Sequence, residues 1–235
     1  MDTGPRSLRL GAATGGAGIM LAPTGMTTTG SARIRRFQVP TVILGHRGLF
    51  CSRFANVETD DIAASYAVTK HLIDLGHKRI AYFTGPPVSP SAQERYEGYR
   101  RALREAGIEM DDRLVFNAGS TIEEGEKAAL QMLNEDPKAT AVQAVNDLVA
   151  IGAADVFLNQ GLQIPDKLSV AGFGNILVSE YFRVPLTTVR QPKLRLGYAA
   201  MDLMQSLMRG EPPANKRLRA ELVARASTAP PGKGG

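Results

Sequence analysis

The sequence predicts an α/β fold built on parallel sheets, and three observations carry that reading. Short strand-like segments alternate with longer helical ones between residues 60 and 209, the order expected of βαβ units. Most of the short segments are largely apolar, as strands covered on both faces require. Glycine follows helix after helix, at Gly76, Gly107 and Gly161, where a left-handed residue ends a helix.

Residues 1–16 are Gly-rich and aperiodic, and read as an atypical or disordered start. "AGIMLAPTG" (17–25) and "VPTVILGHR" (39–47) read as two short strands, with a polar loop and a weak helical piece between them. "DDIAASYAVTKHLIDLG" spaces its apolar residues for a helix, with Asp60 as N-cap. "RIAYFTG" (79–85) reads as a strand, "SAQERYEGYRRALREAG" (91–107) as a helix and "LVF" (114–116) as a short strand. Ser120 and Glu123 stand at capping-box spacing before the next helix. A strand then ends at Val145, followed by a helix over 147–160 and a strand over 168–173, "LSVAGF". "LTTVR" (186–190) is extended, and Pro192 opens a helix that runs to Arg209-Gly210. "RAELVAR" (219–225) reads as a last strand and 229–235 as a loose tail.

With 43% hydrophobic and 22% charged residues over 235 positions, the composition is that of a soluble globular chain. No apolar window is long enough for a membrane span. One cysteine, Cys51, and three histidines, His46, His71 and His77, exclude a disulfide framework and argue against a metal site. They fit a reducing, cytoplasmic compartment. The early "LGAATGGAGIMLAP" is too Gly-rich for a secretion signal. The net charge of +5 includes two short basic runs, "RIRR" near Arg33 and "KRLR" near Lys216, which read as solvated surface. Neither a helix-turn-helix nor a zinc-finger pattern is present, so no sequence-specific DNA contact is expected of this chain.

The chemistry concentrates at strand ends. In an open parallel sheet, ligands bind beyond the carboxyl ends of the strands. "AVQAV" stops there at Asn146-Asp147. Asn146 offers a donor and an acceptor, and Asp147 can cap the following helix; alternatively, the pair does nothing but cap. Arg95 follows the loop "TGPPVSP", where a guanidinium can clamp hydroxyls or a carboxylate, or simply pair with a nearby Glu. Gly174-Asn175 ends another strand, with a plain turn as the alternative. No nucleophile elbow or Walker A pattern occurs, and "GAATGGAG" lacks the strand and helix of a dinucleotide site. No enzyme activity and no cofactor are expected.

"HLIDLGHKRIAYFTGP", "SAQERYEGYRRAL", "NDLVAIGA", "GLQIPDKLSVAGF" and "PLTTVRQP", in this order, closely resemble the sensor region of the lactose/galactose-repressor family of bacterial transcription regulators. The resemblance covers about residues 17–228 and is densest from His71 to Pro192. It implies a periplasmic-binding-protein-like fold of two Rossmann-like lobes, with a sugar or nucleoside-type effector between them. It also implies a homodimer, or pairing with a full-length regulator. Carried over by position, Arg95 would grip ligand hydroxyls, Asn146 would share the cleft, and Asp60 would face it from the other lobe. The resemblance divides the chain into a partial N-terminal lobe, 17–76 plus 191–217, and a complete C-terminal lobe, 77–190 plus 218–228. It implies N-terminal truncation, without the helix-turn-helix and the first two βα units.

Two features bear on function. The family usually carries an Asp where this chain has Gly174, and losing that charged acceptor would cost about 1.5–3 kcal/mol of binding. A stand-alone sugar-binding or dimerisation module is the alternative to an effector sensor. It would pair through Leu148, Val149, Ile151 and Val156 of the helix 147–160, unless that face packs on its own sheet.

Overall fold

The computed structural model describes residues 18–22, 39–45, 54–135 and 137–232. The atypical start, the weak helical piece, the "RIRR" run, residues 46–53 and the last three residues of the tail lie outside these.

Two parallel sheets organise the chain. The first contains β1 (Ile19–Leu21), β2 (Thr41–Leu44), β3 (Ala55–Thr59) and, from far down the sequence, β9 (Asn215–Leu218), in the order β1-β2-β3-β9. The second contains β4 (Ile80–Thr84), β5 (Val115–Asn117), β6 (Ala141–Ala144) and β7 (Ser169–Ala171), in the order β5-β4-β6-β7. A parallel bridge from Ala171 to Thr187 extends its margin towards β8 (Thr188–Arg190), which pairs antiparallel with β10 (Glu221–Val223). The chain is thus α/β with parallel sheets.

Helices cover both faces of the second sheet. α1 (Asp61–Asp74) and α2 (Pro90–Glu105) bury Val68, Leu72, Tyr99 and Leu103 against Ile80, Tyr82, Ala141 and Ala171. On the opposite face, α3 (Ile122–Glu135) and α4 (Asp147–Asn159) bury Ala129, Met132, Val149 and Phe157 against Phe83, Val142 and Val170. A short α5 (Leu177–Tyr181) follows β7. The long α6 (Lys193–Met208) crosses to the first sheet, where Ala200, Leu203 and Met204 pack on Val42, Ala55 and Val57.

The helices pair closely because glycine sits at their contacts. A Cβ on Gly152 of α4 would lie 2.1 Å from the Ile122 carbonyl oxygen of α3. A Cβ on Gly98 of α2 would lie 2.4 Å from the Ile62 carbonyl oxygen of α1. Both distances are inside van der Waals contact, so each pair needs the bare backbone of glycine.

Several expectations change. The helix over 60–75, assigned above to the N-terminal lobe, packs on the second sheet, because its apolar stripe of Ala64, Val68 and Leu72 meets that sheet's face. β3 and β9 escaped the sequence reading altogether. All five β3 residues are buried, although the strand reads Ala-Asn-Val-Glu-Thr, so its polarity hides it. "KRLR", read as solvated surface, supplies β9. The capping box lies one residue later than expected: Thr121 Oγ1 accepts from Glu124 N at 3.3 Å, and a Glu124 carboxylate oxygen accepts from Thr121 N at 3.0 Å. The tail 229–232 is anchored rather than loose, since the Ala229 carbonyl accepts from buried His77 and Ser169.

Candidate functional site

The two sheets are joined by three chain crossings: Asp60 between β3 and α1, Gln191-Pro192 between β8 and α6, and Arg219-Ala220 between β9 and β10. The crossings are bonded to one another. Asp60 N donates to Leu218 O at 2.9 Å, and Gln191 Nε2 donates to Thr59 Oγ1 at 3.4 Å. A hollow of about 50 Å³ opens beside them, lined from the first sheet by Gly45, Glu58 and Thr59. Asp61 of α1, Ser91 and Glu94 of α2, and Gln191 of the crossing complete it. Every lining residue except glycine carries a polar group, and both lobes contribute.

Charges in this region are paired, and the carboxylates are buried. Arg217 of β9 reaches the buried Glu58 carboxylate with Nε at 2.8 Å and Nη2 at 2.7 Å, while Asn56 Nδ2 donates to its other oxygen at 3.0 Å. Arg95 of α2 donates through Nε to Asp61 Oδ2 at 3.0 Å and through Nη1 to the Val145 carbonyl at 2.8 Å. Its guanidinium carbon stands 3.8 Å above the centre of the Phe173 ring, a cation–π contact. Arg95 therefore ties α2 to α1, to the end of β6 and to the turn after β7.

The three residues expected to bind ligand fall as follows. Asp60 caps α1 by accepting from Ala63 N at 3.0 Å; its neighbour Asp61 lines the hollow. Arg95 is held by the Asp61 carboxylate, not by a surface Glu, and its side chain is 15% exposed. Asn146 is the N-cap of α4: its Oδ1 accepts from Val149 N at 2.8 Å and its Nδ2 donates to Ser120 O at 3.0 Å. The structure brings Arg95 to the carbonyl of the residue before Asn146, but Asn146 turns towards Ser120. None of the three lines the hollow between the sheets.

Asp147, expected as the cap, is buried instead and fastens the turn after β7. It accepts from Ile176 N at 2.9 Å and from the Thr188 hydroxyl. Burial pushes its carboxyl above the usual range, against the hydrogen bonds from Thr188 and Ile176. Arg225 holds the same turn by donating to Asn175 Oδ1 at 2.7 Å. Gly174 within it has φ +128, and the atom nearest to an added Cβ is Asp147 Oδ2, 3.7 Å away. There is room for a side chain at Gly174, but the backbone disfavours one.

Sequence reasoning missed Glu58, Asp61, Ser91 and Gln191. Glu58 and Arg217 are 159 residues apart in the chain, and no local pattern connects them. The doublet Asp60-Asp61 was the one available signal. An N-cap is usually followed by solvated helix residues, so a buried second carboxylate needed a cationic partner such as Arg95.

Comparison with known proteins follows the same lines. A family profile described as periplasmic binding protein-like domain matches residues 69–228. The HTH-type transcriptional repressor CytR of Escherichia coli is 36% identical over 174 residues, covering 73% of this chain and 51% of that protein. The chain thus spans about half the length of the curated relatives it matches. Among solved structures, a LacI family transcriptional regulator from Mycobacterium smegmatis superposes with a TM-score of 0.82 at 31% identity, covering 91% of this chain and 79% of that one. The complex of the transcriptional regulator CelR with cellobiose gives a TM-score of 0.83 at 30% identity, covering 89% of this chain and 65% of that one.

Proposed function

Because the chain belongs to the LacI family of transcription regulators, within its periplasmic-binding-protein-like region, we propose that it senses a small polar metabolite between its two sheets and acts in transcription through a DNA-binding element that the described residues do not include. One observation carries this reading. The polar hollow of Glu58, Thr59, Asp61, Ser91 and Gln191 is built from both lobes at the chain crossings. A ligand that contacts both lobes binds one relative orientation better than another, and such differential affinity is what converts binding into a conformational signal.

The effector is a sugar or nucleoside-like molecule, in keeping with the cellobiose held by CelR. Hydroxyl groups both donate and accept, and the hollow offers hydroxyls, a carboxamide and carboxylates in return. At about 50 Å³ the hollow holds far less than a sugar, since small-molecule sites run to roughly 300–1,000 Å³. Entry therefore requires the lobes to part about the three crossings. Arg95 positions this site by fixing Asp61, and Asn146 shapes the neighbouring strand end. The acting species is a dimer, or this chain paired with a longer relative, in a cytoplasmic setting. α4 contributes little to that pairing: Val149 and Ile151 are buried in its own core, and Leu148 is the large apolar side chain it exposes.

A thermal-shift screen of sugars and nucleosides tests the proposal, run on the parent and on Ser91→Phe, which fills the hollow. An effector at 100 times its Kd raises stability by about 2.7 kcal/mol in the parent and by nothing in the variant. Equal shifts in both proteins, or no shift with any compound, would count against it.

A further inference from the structure

Gln191 lines two hollows of opposite character. The hollow between the sheets carries the carboxylates of Glu58, Asp61 and Glu94. The other, of about 320 Å³, lies against the turn after β7 and the first turn of α6. Its lining includes Gly174, Asn175, Arg190, Lys193 and Arg195, and no carboxylate. We propose that this second hollow is a subsite for a phosphoryl group, so that the effector is a phosphate monoester rather than a neutral sugar or nucleoside. The identity of the effector rests on the reading given above; the anion site does not.

The three cations are uncommitted. Arg190, Lys193 and Arg195 are exposed, and among the described residues none of their side chains makes a hydrogen bond or ion pair. Glu221 is the register partner of Arg190 on β10, yet the two form no ion pair. Asp147, whose carboxylate stands behind Gly174, is buried and engaged by Ile176 N and the Thr188 hydroxyl. Glycine at 174 adds no charge of its own.

The lining also donates far more than it accepts. Arg and Lys side chains only donate. Asn175 has its Oδ1 taken by Arg225 at 2.7 Å, which leaves its amide hydrogens to donate. A sugar hydroxyl must donate as well as accept, whereas a phosphoryl group accepts at each of its oxygens. Guanidinium forks match that group in shape as well as charge. Three separate cations also exceed what the two oxygens and single charge of a carboxylate can engage.

The cations come from both lobes. Lys193 and Arg195 open α6, the helix that packs on the first sheet, while Arg190 ends β8 at the margin of the second. A dianion among them offsets their mutual repulsion, and does so most when the lobes are close. Phosphoryl binding is thereby coupled to lobe orientation.

Calorimetric titration of the full chain with inorganic phosphate at low salt tests the site. Binding is expected in the parent and in Lys167→Gln, an exposed control outside the hollow. It is expected to weaken at least tenfold in the double variant Lys193→Gln/Arg195→Gln. Both residues are exposed, and an unchanged melting temperature verifies that the fold is kept. A second arm compares sugars and nucleosides with their phosphate monoesters by thermal shift, and a monoester is expected to give the larger shift. Three results overturn the proposal: no phosphate binding at millimolar concentration, equal phosphate binding in parent and double variant, or a neutral compound that binds as tightly as its monoester. Phosphate binding that depends on Lys193 and Arg195, with no shift from any sugar or nucleoside in either form, would support the anion site and fault the effector reading alone.

Discussion

Arg95 Nε lies 3.0 Å from Asp61 Oδ2, and the two side chains are only 15% and 6% exposed. Each depends on the other. Asp61 begins α1 and lines the hollow between the sheets, while Arg95 also holds the Val145 carbonyl and covers the Phe173 ring. Removing either partner leaves a buried charge without its counter-ion, a loss of roughly 3–5 kcal/mol. Arg95→Ala is expected to lower unfolding stability by that amount in urea titrations. Arg95→Lys is expected to recover only part of it, since an ammonium cannot reproduce the forked geometry or the stacking. A loss within 0.5 kcal/mol for Arg95→Ala would mean that the pair is not a clasp.

Asn146 separates capping from tethering. Asn146→Ala removes the α4 cap and should cost about 1 kcal/mol. Asn146→Asp keeps an oxygen for Val149 N but loses the donor to Ser120 O, so it should cost less. Thermal denaturation of both variants checks the order; a reversed order would place the greater weight on Ser120.

The position of the α3 cap is equally open to test. Thr121→Ala is expected to destabilise by about 1 kcal/mol, because Thr121 and Glu124 satisfy each other's backbone N–H. Ser120→Ala should change little, since it is the Ser120 backbone that takes part, donating to Glu124 and accepting from Asn146. Chemical denaturation of the two variants side by side decides between the residues.

Gly174→Asp restores the carboxylate that the family resemblance leads one to expect, yet it should not restore an acceptor cheaply. The φ of +128 is strained for any side chain, and Asp147 Oδ2 lies 3.7 Å from the new Cβ. A loss of about 1–3 kcal/mol is expected from the backbone alone. A melting temperature equal to or above the parent's would contradict this.

His77 links pH to the anchoring of the tail. Its ring contacts Thr140, Ser169 and the Ala229 carbonyl, and burial lowers its pKa below 6.5, with nearby His71 lowered for the same reason. The unfolded chain therefore binds protons first. The contribution of these histidines is complete above about pH 6.5 and is lost as pH falls through their depressed folded values. Asp147, raised by burial, acts with the opposite sign above the ordinary Asp value, favouring the fold as it protonates. The melting temperature should fall between pH 7.5 and 5.5, and His77→Gln should flatten that fall. An equal fall in parent and variant would remove His77 from the account.

The sequence by itself determined the alternation of strands and helices, the parallel sheets and the family, because apolar spacing and helix-stop glycines are local signals. It also singled out Asp60 and Arg95 as residues that matter. Only the tertiary structure decided that Asp61, next to the expected cap Asp60, pairs with Arg95, that Asn146 rather than Asp147 is the cap, and that α1 belongs to the second sheet. It also decided that Ala-Asn-Val-Glu-Thr and Asn-Lys-Arg-Leu are strands. The physical reason is the same in each case. A charged or polar residue can be buried only beside a partner that satisfies it, and here those partners arrive from 34 residues away for Asp61 and 159 for Glu58. Hydropathy along the chain records what a residue prefers in water; it does not record which distant group will meet it once the chain has folded.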